Sequence, residues 1–323
     1  MTVSAVVTAQ DRREFLREAV ASALASGADE VLVVRNFSGG LEGLEGRYVD
    51  VECRAEETGV KEAAGVESAH GDVVAFLDDD DTWEPTKVPH VRELFGNDPA
   101  LVYYCHDQAP VDRGGRPVEA RHPEWARKDP RRFATWDGRD LWVLFDEIWP
   151  GNNSSTVVRR DWALGWTAAL REAGWAADRF WFTAALLDRR STRLEDAPLT
   201  HLRLHDLNMS QTRGASPEDF RVRHATSSAR FARSSRTLAR IASERGGPDS
   251  PIASHFSRTA AALGFFADLE NGHHPRSSAL AVLRHGPGGR DRAVTASALT
   301  AVVSPSLARR LLYLSSLRRW RLG

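Results

Sequence analysis

Residues 73–83 read Val-Val-Ala-Phe-Leu-Asp-Asp-Asp-Asp-Thr-Trp. Five apolar residues, Val73 to Leu77, run straight into four carboxylates, Asp78 to Asp81. A bounded apolar run of that length fits a strand buried on both faces, as in α/β sheets. The acids then emerge at its carboxyl end, where open α/β sheets bind ligands. Adjacent carboxylates repel one another. Mg²⁺ or Mn²⁺ relieves that repulsion, because both prefer carboxylate oxygens. A solvated acidic turn is the other reading of such a run.

The flanking sequence supports the strand. Val3–Thr8 predicts a first strand, and residues 12–26 a helix with Phe15, Leu16, Ala19, Val20, Ala23 and Leu24 at helical spacing. Strands are expected over Glu30–Arg35 and Arg47–Cys53, and a helix over Glu57–His70. Pro85 opens a helix to about Phe95, since proline suits a first turn. Ala100–His106 reads as a strand and Pro110–Val118 as an irregular hairpin. Residues 119–138 read as a long surface loop, and residues 141–148 as a short helix. A strand is expected over Asn152–Arg159, helices over Asp161–Glu172 and Asp178–Asp188, and a final strand over Leu199–His205. Such alternation implies an α/β fold with a mainly parallel sheet and right-handed crossovers. From Pro217 the pattern is helical throughout, over 217–245, 250–270, 276–285, 290–303 and 305–320.

Charge divides the chain in a similar place. Residues 215–323 carry 17 Arg, no Lys and 7 acids, a net +10, which leaves −11 (26 basic, 37 acidic) for residues 1–214. The expected organisation is one α/β domain over 1–214, with a first half to about 106 and a second over 107–214, followed by a basic helical region over 215–323. The segment 306–321 mixes Leu and Arg as a basic amphipathic helix. It suits either an anionic membrane surface or packing on its own domain with an arginine-rich outer face. Cys53 and Cys105 are isolated and read as reduced core residues of a cytoplasmic protein. No leader and no membrane-spanning stretch is expected, and no nucleic-acid partner.

Residues 3–24 and Glu30–Ser38 resemble the opening elements of family 2 glycosyltransferases. Gly65 to Lys87 resembles their most recognisable segment. It has a Gly–Ala–Gly spacing (Gly65, Ala69, Gly71), the apolar strand, Asp-x-Asp-Asp-x-Trp over Asp78–Trp83, and Pro85-x-Lys87. The resemblance covers roughly residues 1–210. Val34-Arg-Asn-Phe37 and Gly59-x-Lys61 look most like archaeal members. The resemblance implies a GT-A fold, a Rossmann-like mixed sheet flanked by helices, with a nucleotide-sugar half and an acceptor half.

It also implies roles. Asp80 matches the aspartate that binds the metal, Mn²⁺ or Mg²⁺. Asp78 matches the one that contacts the ribose or a metal-bound water. Asp79 lies between them and would point the other way along an extended chain. Asp81 is expected to cap the following turn or to orient the donor sugar. Asp178, in Trp175-Ala-Ala-Asp-Arg-Phe-Trp-Phe182, falls where inverting members place the catalytic base, although Ala177 replaces their Glu. An N-cap is the structural alternative for Asp178. His205 matches the histidine near the diphosphate that sometimes completes the metal site, and a sheet-edge bond is its alternative.

Thr8, Ala9, Gln10 and Asp11 match the first nucleotide loop. Asn36 stands where the family's base- or ribose-binding acid is usual, and Lys61 is placed to meet a phosphate. His106, Asp107, Trp149 and Asn152 are candidates to face the acceptor. The expected donor is a UDP- or GDP-sugar, and the expected acceptor a glycan or lipid-linked hydroxyl at the inner membrane face, with peripheral membrane contact through the C-terminal helices.

Three other classes compete. Asp78-x-Asp80-x-Thr82 also spells the first motif of haloacid-dehalogenase-type phosphatases, but three strands precede it and no lysine follows Lys128. A nucleotidyltransferase would carry a Gly-rich loop where Thr8–Asp11 stands. A non-catalytic sugar- or lipid-binding protein is supported only by the missing Glu at 177.

Overall fold

The structure, a computed structural model, describes residues 1–118, 131–133, 152–205, 216–247, 249–272, 275–284, 291–310 and 313. The expected helix over 141–148, Trp149, and most of the segment 306–321 lie outside the described residues. Two compact units divide the chain, Met1–Leu204 and His205–Gly323.

The first unit is a mixed, mainly parallel α/β sheet flanked by helices. Its strands are β1 (Val3–Ala9), β2 (Glu30–Arg35), β3 (Val49–Glu52), β4 (Val73–Asp78), β5 (Thr82–Trp83), β6 (Leu101–Val111), β7 (Arg131–Phe133), β8 (Thr156–Arg159) and β9 (Ser191–Arg203). The sheet order is β3-β2-β1-β4-β8-β6-β9-β5, with β7 paired to β9. β3, β2, β1 and β4 are parallel, and β8 enters antiparallel between β4 and β6. The helices are α1 (Leu16–Ala25), α2 (Thr58–Ser68), α3 (Lys87–Asn97), α4 (Arg160–Leu164), α5 (Thr167–Ala173) and α6 (Ala177–Leu187).

Burial on both faces explains the continuous apolar strands. Val3, Ala5 and Val7 share a core with Leu16 and Val20 of α1 and Val88, Val91 and Phe95 of α3. The alternate residues face the other layer. Phe76 stacks on Trp181 of α6 at 5.8 Å, and Gly65 of α2 lies so close to Val6 that a Cβ there would sit 2.3 Å from Val6 Cγ1. Each large aliphatic side chain so buried stabilises by about 1.5–3 kcal/mol.

Four expectations are corrected. The strand expected over Leu199–His205 starts at Ser191. Its first residues are polar, yet Ser191, Thr192 and Leu194 are buried against β6, and Arg193 pairs with Glu195. Residues 119–138 are not loop throughout, because β7 pairs with β9 through Arg131–Phe133. Gly165 divides the helix expected over 161–172 into α4 and α5. Asn152–Arg159 begins as one 3₁₀ turn, Asn153–Ser155, before β8.

The second unit comprises α7 (Pro217–Gly246), α8 (Pro251–Glu270), α9 (Arg276–Arg284) and α10 (Asp291–Val303). Ser216 and Ser250 cap α7 and α8, each followed by proline. Ala225, Ser228, Ala232, Ser235 and Ala242 are buried on α7; small residues at this spacing let α8 pack closely. Two arginines cover the carboxyl end of α8, where the helix dipole favours cations. Arg221 Nη1 donates to Glu270 O and Arg309 Nε to Leu269 O, both at 2.6 Å. Among the described residues, no helix is long and apolar enough to cross a membrane.

Candidate active site

β1, β2 and β4 end side by side, with Thr8 opposite Asp78 and Ala9 opposite Arg35 in register. The chain leaves β4 through a turn closed by Asp81 N donating to Asp78 O at 3.3 Å. The strand stops at Asp78, so the alternation expected for Asp79 does not apply.

The turn meets the loop after β1. Thr8 Oγ1 lies 3.3 Å from Asp78 Oδ1. Gln10 N donates to Asp79 Oδ2 at 3.3 Å. Arg12 pairs with Asp79 through Nη2 and with Asp80 Oδ2 through Nη1 at 2.8 Å. Gln10 Nε2 donates to Asp11 Oδ2 at 2.7 Å, and its Oε1 accepts from Lys61 Nζ. Asn36 Nδ2 donates to Asp11 Oδ1 at 2.8 Å, while Asp11 N donates to Asn36 Oδ1 at 3.3 Å. Asp11 has a φ of 54°, a left-handed conformation that Asp tolerates better than most residues. Gln10, Asp11, Asn36, Lys61 and Asp79 are thus one hydrogen-bonded network, beside which Thr8 meets Asp78. Ala9 is buried in the core, so only its backbone faces this network.

Arg35 does not compete for a ligand here. Its guanidinium is bound to Asp50 and donates to Gly39 O at 2.7 Å, and it lies over the rings of Phe37 and Tyr48. Burial pushes the Lys61 ammonium down, against the pull of Asp79 and Asp11.

Asp81 has a structural role instead of the expected cap. Its carboxylate accepts from Ser154 Oγ at 2.6 Å, Arg203 N at 2.9 Å and Asn152 Nδ2 at 3.3 Å. Ser154 Oγ also accepts from Asp78 N at 2.9 Å. The Ser154 carbonyl gathers Lys87 Nζ at 2.6 Å, Thr200 Oγ1 at 2.8 Å and Trp83 Nε1 at 3.1 Å. Trp83 and Lys87, part of the recognisable segment, therefore fasten the acid turn to the 3₁₀ turn. Lys87 Nζ also lies 4.1 Å from the Trp83 ring centroid. The Arg203 guanidinium donates to Asp80 O and to Arg113 O and pairs with Glu18.

Crowding shapes the acids. Burial pushes Asp78 well above the carboxylate range, with Asp80, Asp81 and Asp79 adding to it. Burial likewise raises Asp79 to about 6 against the pull of Arg12, and Asp81 to about 7. Asn153 Nδ2 approaches Asp78 Oδ1 at 3.4 Å, while Asn152 Oδ1 and Asn153 Oδ1 are buried acceptors with no partner among the described residues.

Asp178 lies in the first turn of α6, but it is not the N-cap. That position is Ala176, with a φ of 55°. Asp178 Oδ1 accepts from Arg179 N at 2.8 Å, and burial raises its carboxyl. Asp178 and Asp78 both push up the carboxyl of Glu62, which burial raises well above its usual range. The strand-end acid and the α6 acid therefore share a neighbour. Glu62 is fully buried on α2, its Oε2 accepts from Trp181 Nε1 at 2.7 Å, and its Oε1 has no partner.

Among the acceptor candidates, His106 is buried with Nδ1 2.8 Å from Asp107 O and Nε2 unpartnered, and burial pushes its imidazole down. Asp107 accepts from Gln108 N at 3.0 Å. Asn152 is drawn into the acid turn, and Trp149 lies outside the described residues. His205 is buried and is the first residue of the second unit. Sequence reasoning missed Arg12, Arg203 and Glu62, since isolated Arg and Glu residues carry no spacing signal, and it expected Ser154 to face the acceptor with Asn152 and Asn153, without its tie to the acid turn.

The donor set suits an oxygen-loving divalent cation. It offers carboxylates with too little positive charge nearby and two unpartnered amide oxygens. Among the described residues, no three His, Cys, Asp or Glu side chains group to hold a metal by themselves. Mg²⁺-type sites commonly use one or two carboxylates and take the rest of their oxygens from substrate phosphates.

Residues 4–156, a little under half of the chain, match the model of the family described as Glycosyl transferase family 2. S. aureus TarS 1–349, solved in complex with UDP-GlcNAc, shares the fold at a TM-score of 0.50 with 14% identity, covering 98% of this chain and 92% of that one. Glucosyl-3-phosphoglycerate synthase from Mycobacterium tuberculosis, solved with Mn²⁺, UDP and glucosyl-3-phosphoglycerate, aligns at 0.46 with 16% identity, over 77% of this chain and 81% of that one. No curated protein matches the chain. The class is thus a glycosyltransferase of GT-A fold. More particularly, residues 4–156 are similar to family 2 glycosyltransferases.

Proposed function

We propose that the protein moves a sugar from a nucleoside-diphosphate donor to an acceptor hydroxyl with inversion, aided by Mn²⁺ or Mg²⁺. The observation that carries this reading is the network joining Asp79 to Gln10, Asp11, Asn36 and Lys61, with the Thr8–Asp78 contact beside it at the same strand ends. In it, Asp11 and Asn36 are the groups for base and ribose, and Lys61 offers charge to a phosphate. Asp80 would hold the cation. When bound, a divalent cation supplies Lewis-acid neutralisation of the diphosphate.

Asp178 takes the proton from the acceptor hydroxyl as its oxygen attacks the anomeric carbon. The bond from that carbon to the diphosphate oxygen breaks, and the nucleoside diphosphate leaves. A carboxyl raised by burial is better suited to a base near neutral pH than an exposed one. UDP is the first nucleotide to test, because the TarS complex holds UDP-GlcNAc. The +10 helical region over residues 215–323 supports a lipid-linked acceptor at the inner membrane face.

A thermal-shift panel of UDP, GDP and their sugars, with and without Mn²⁺, tests the donor. Stabilisation by one nucleotide and its sugars, larger with metal, is expected, and no stabilisation by any of them sinks the reading. Asp178→Asn is expected to keep the donor shift and to lose transfer by about 10²–10⁴-fold. A fully active Asp178→Asn places the base elsewhere.

A further inference from the structure

We infer that Arg12 is an exchangeable counter-cation, which holds Asp79 and Asp80 in the metal-free protein and passes to the donor's diphosphate when a divalent cation takes Asp80. This rests on the donor reading above.

The case starts from how the other cations around the acid turn are held. Lys87 is fully buried and bound to the Ser154 carbonyl. Lys61 is buried and bound to Gln10. Arg203, whose side chain is 4% exposed, is fixed on two backbone carbonyls and Glu18. These three are built into the fold.

Arg12 differs on each count. Its side chain is 28% exposed, and its partners are the carboxylates of Asp79 and Asp80. Among the described residues, no backbone carbonyl holds its guanidinium. It stands directly after Asp11 with its left-handed backbone, on the loop between β1 and α1 that bears Gln10 and Asp11. Moving it breaks two ion pairs, those with Asp79 and Asp80.

The exchange follows from charge. A divalent ion on Asp80 meets the guanidinium already seated at Asp80 Oδ2, 2.8 Å away. Two cations at such range repel strongly in a site shielded from water. The guanidinium leaves as the ion arrives. A diphosphate brings the oxygens it then needs, since the planar fork of Arg pairs with phosphate through two parallel hydrogen bonds. Metal-free protein thus keeps Asp79 and Asp80 partly compensated by one guanidinium, and metal and donor bind in concert.

The test compares the full chain with Arg12→Gln and Arg12→Lys, using Mn²⁺ titrations followed by electron paramagnetic resonance and UDP titrations by calorimetry. Without nucleotide, Arg12→Gln is expected to bind Mn²⁺ about five- to tenfold more tightly than wild type, since a competing cation is gone. At saturating Mn²⁺ it is expected to bind UDP about tenfold more weakly, having lost a charge-assisted fork. Arg12→Lys keeps the charge and loses the fork, so its Mn²⁺ affinity stays near wild type while UDP weakens. It also carries the test if Arg12→Gln does not fold. Unchanged or weaker Mn²⁺ binding in Arg12→Gln overturns the counter-cation role. Unchanged UDP binding in both variants overturns the transfer to phosphate. A wild-type chain that binds Mn²⁺ but no nucleotide overturns the donor reading instead, and with it the phosphate step.

Discussion

Asp81 Oδ2 accepts a 2.6 Å hydrogen bond from the hydroxyl of Ser154, 73 residues further along the chain. The same hydroxyl accepts from Asp78 N. One oxygen thus ties both ends of the acid turn to the turn that leads into β8. Ser154→Ala strands a buried carboxylate and a strand-end amide together. It is expected to destabilise the chain by about 2 kcal/mol, read from urea unfolding. A loss below about 0.5 kcal/mol would mean water or Asn152 replaces the hydroxyl.

Gly65 sets how closely α2 approaches the sheet. A Cβ at this position would fall 2.3 Å from Val6 Cγ1, and Val6 is itself fully buried and branched. Gly65→Ala is expected to cost about 1–3 kcal/mol through overpacking. Val6→Ala should recover much of that loss in the double variant, as contacting residues are coupled. Additive losses in the unfolding midpoints would show that the helix, not the contact, is at fault.

Two buried glutamates give stability a pH dependence of known sign. Burial raises Glu62 well above its ordinary 4.5, and raises Glu270 to about 7 against the pull of Arg309 and Arg221. A carboxyl raised in the folded state binds its proton more tightly there than when unfolded. Its contribution is fully present below about 4.5 and is lost as pH rises toward the folded value. Melting temperature is therefore expected to fall between about pH 4.5 and 7 from these groups, in metal-free buffer. Glu270→Gln should flatten part of that slope while leaving stability at the acidic end near wild type. An unchanged slope would show that Glu270 ionises freely in the folded chain.

Much of the first unit was legible because two-sided burial writes itself as unbroken apolar runs. β1, β2 and β4 fall within a residue or so of expectation for that reason. β9 was legible only at its end, because its opening residues satisfy themselves by pairing Arg193 with Glu195 instead of by apolar burial. Sequence also singled out residues that come together here, since Thr8–Asp11 and Asp78–Asp81 stand at the ends of strands that lie adjacent. The places that Arg12, Ser154 and Arg203 take at the acid turn were out of reach. Their roles depend on which chain segments a parallel sheet brings together, a long-range property that local spacing does not encode. Asp81 was misjudged for the same reason, because its partners lie 71 to 122 residues away.

Lys61 and Lys87 are both buried, and beyond residue 128 the chain has no lysine at all. Acylating reagents aimed at primary amines therefore meet very few side chains on this protein. Lys61 is held by Gln10 on the loop that bears Asp11 and Arg12. Buried and hydrogen-bonded in this way, its ammonium is shielded from such reagents, so a tag found at Lys61 by mass spectrometry would report a departure from this packed arrangement.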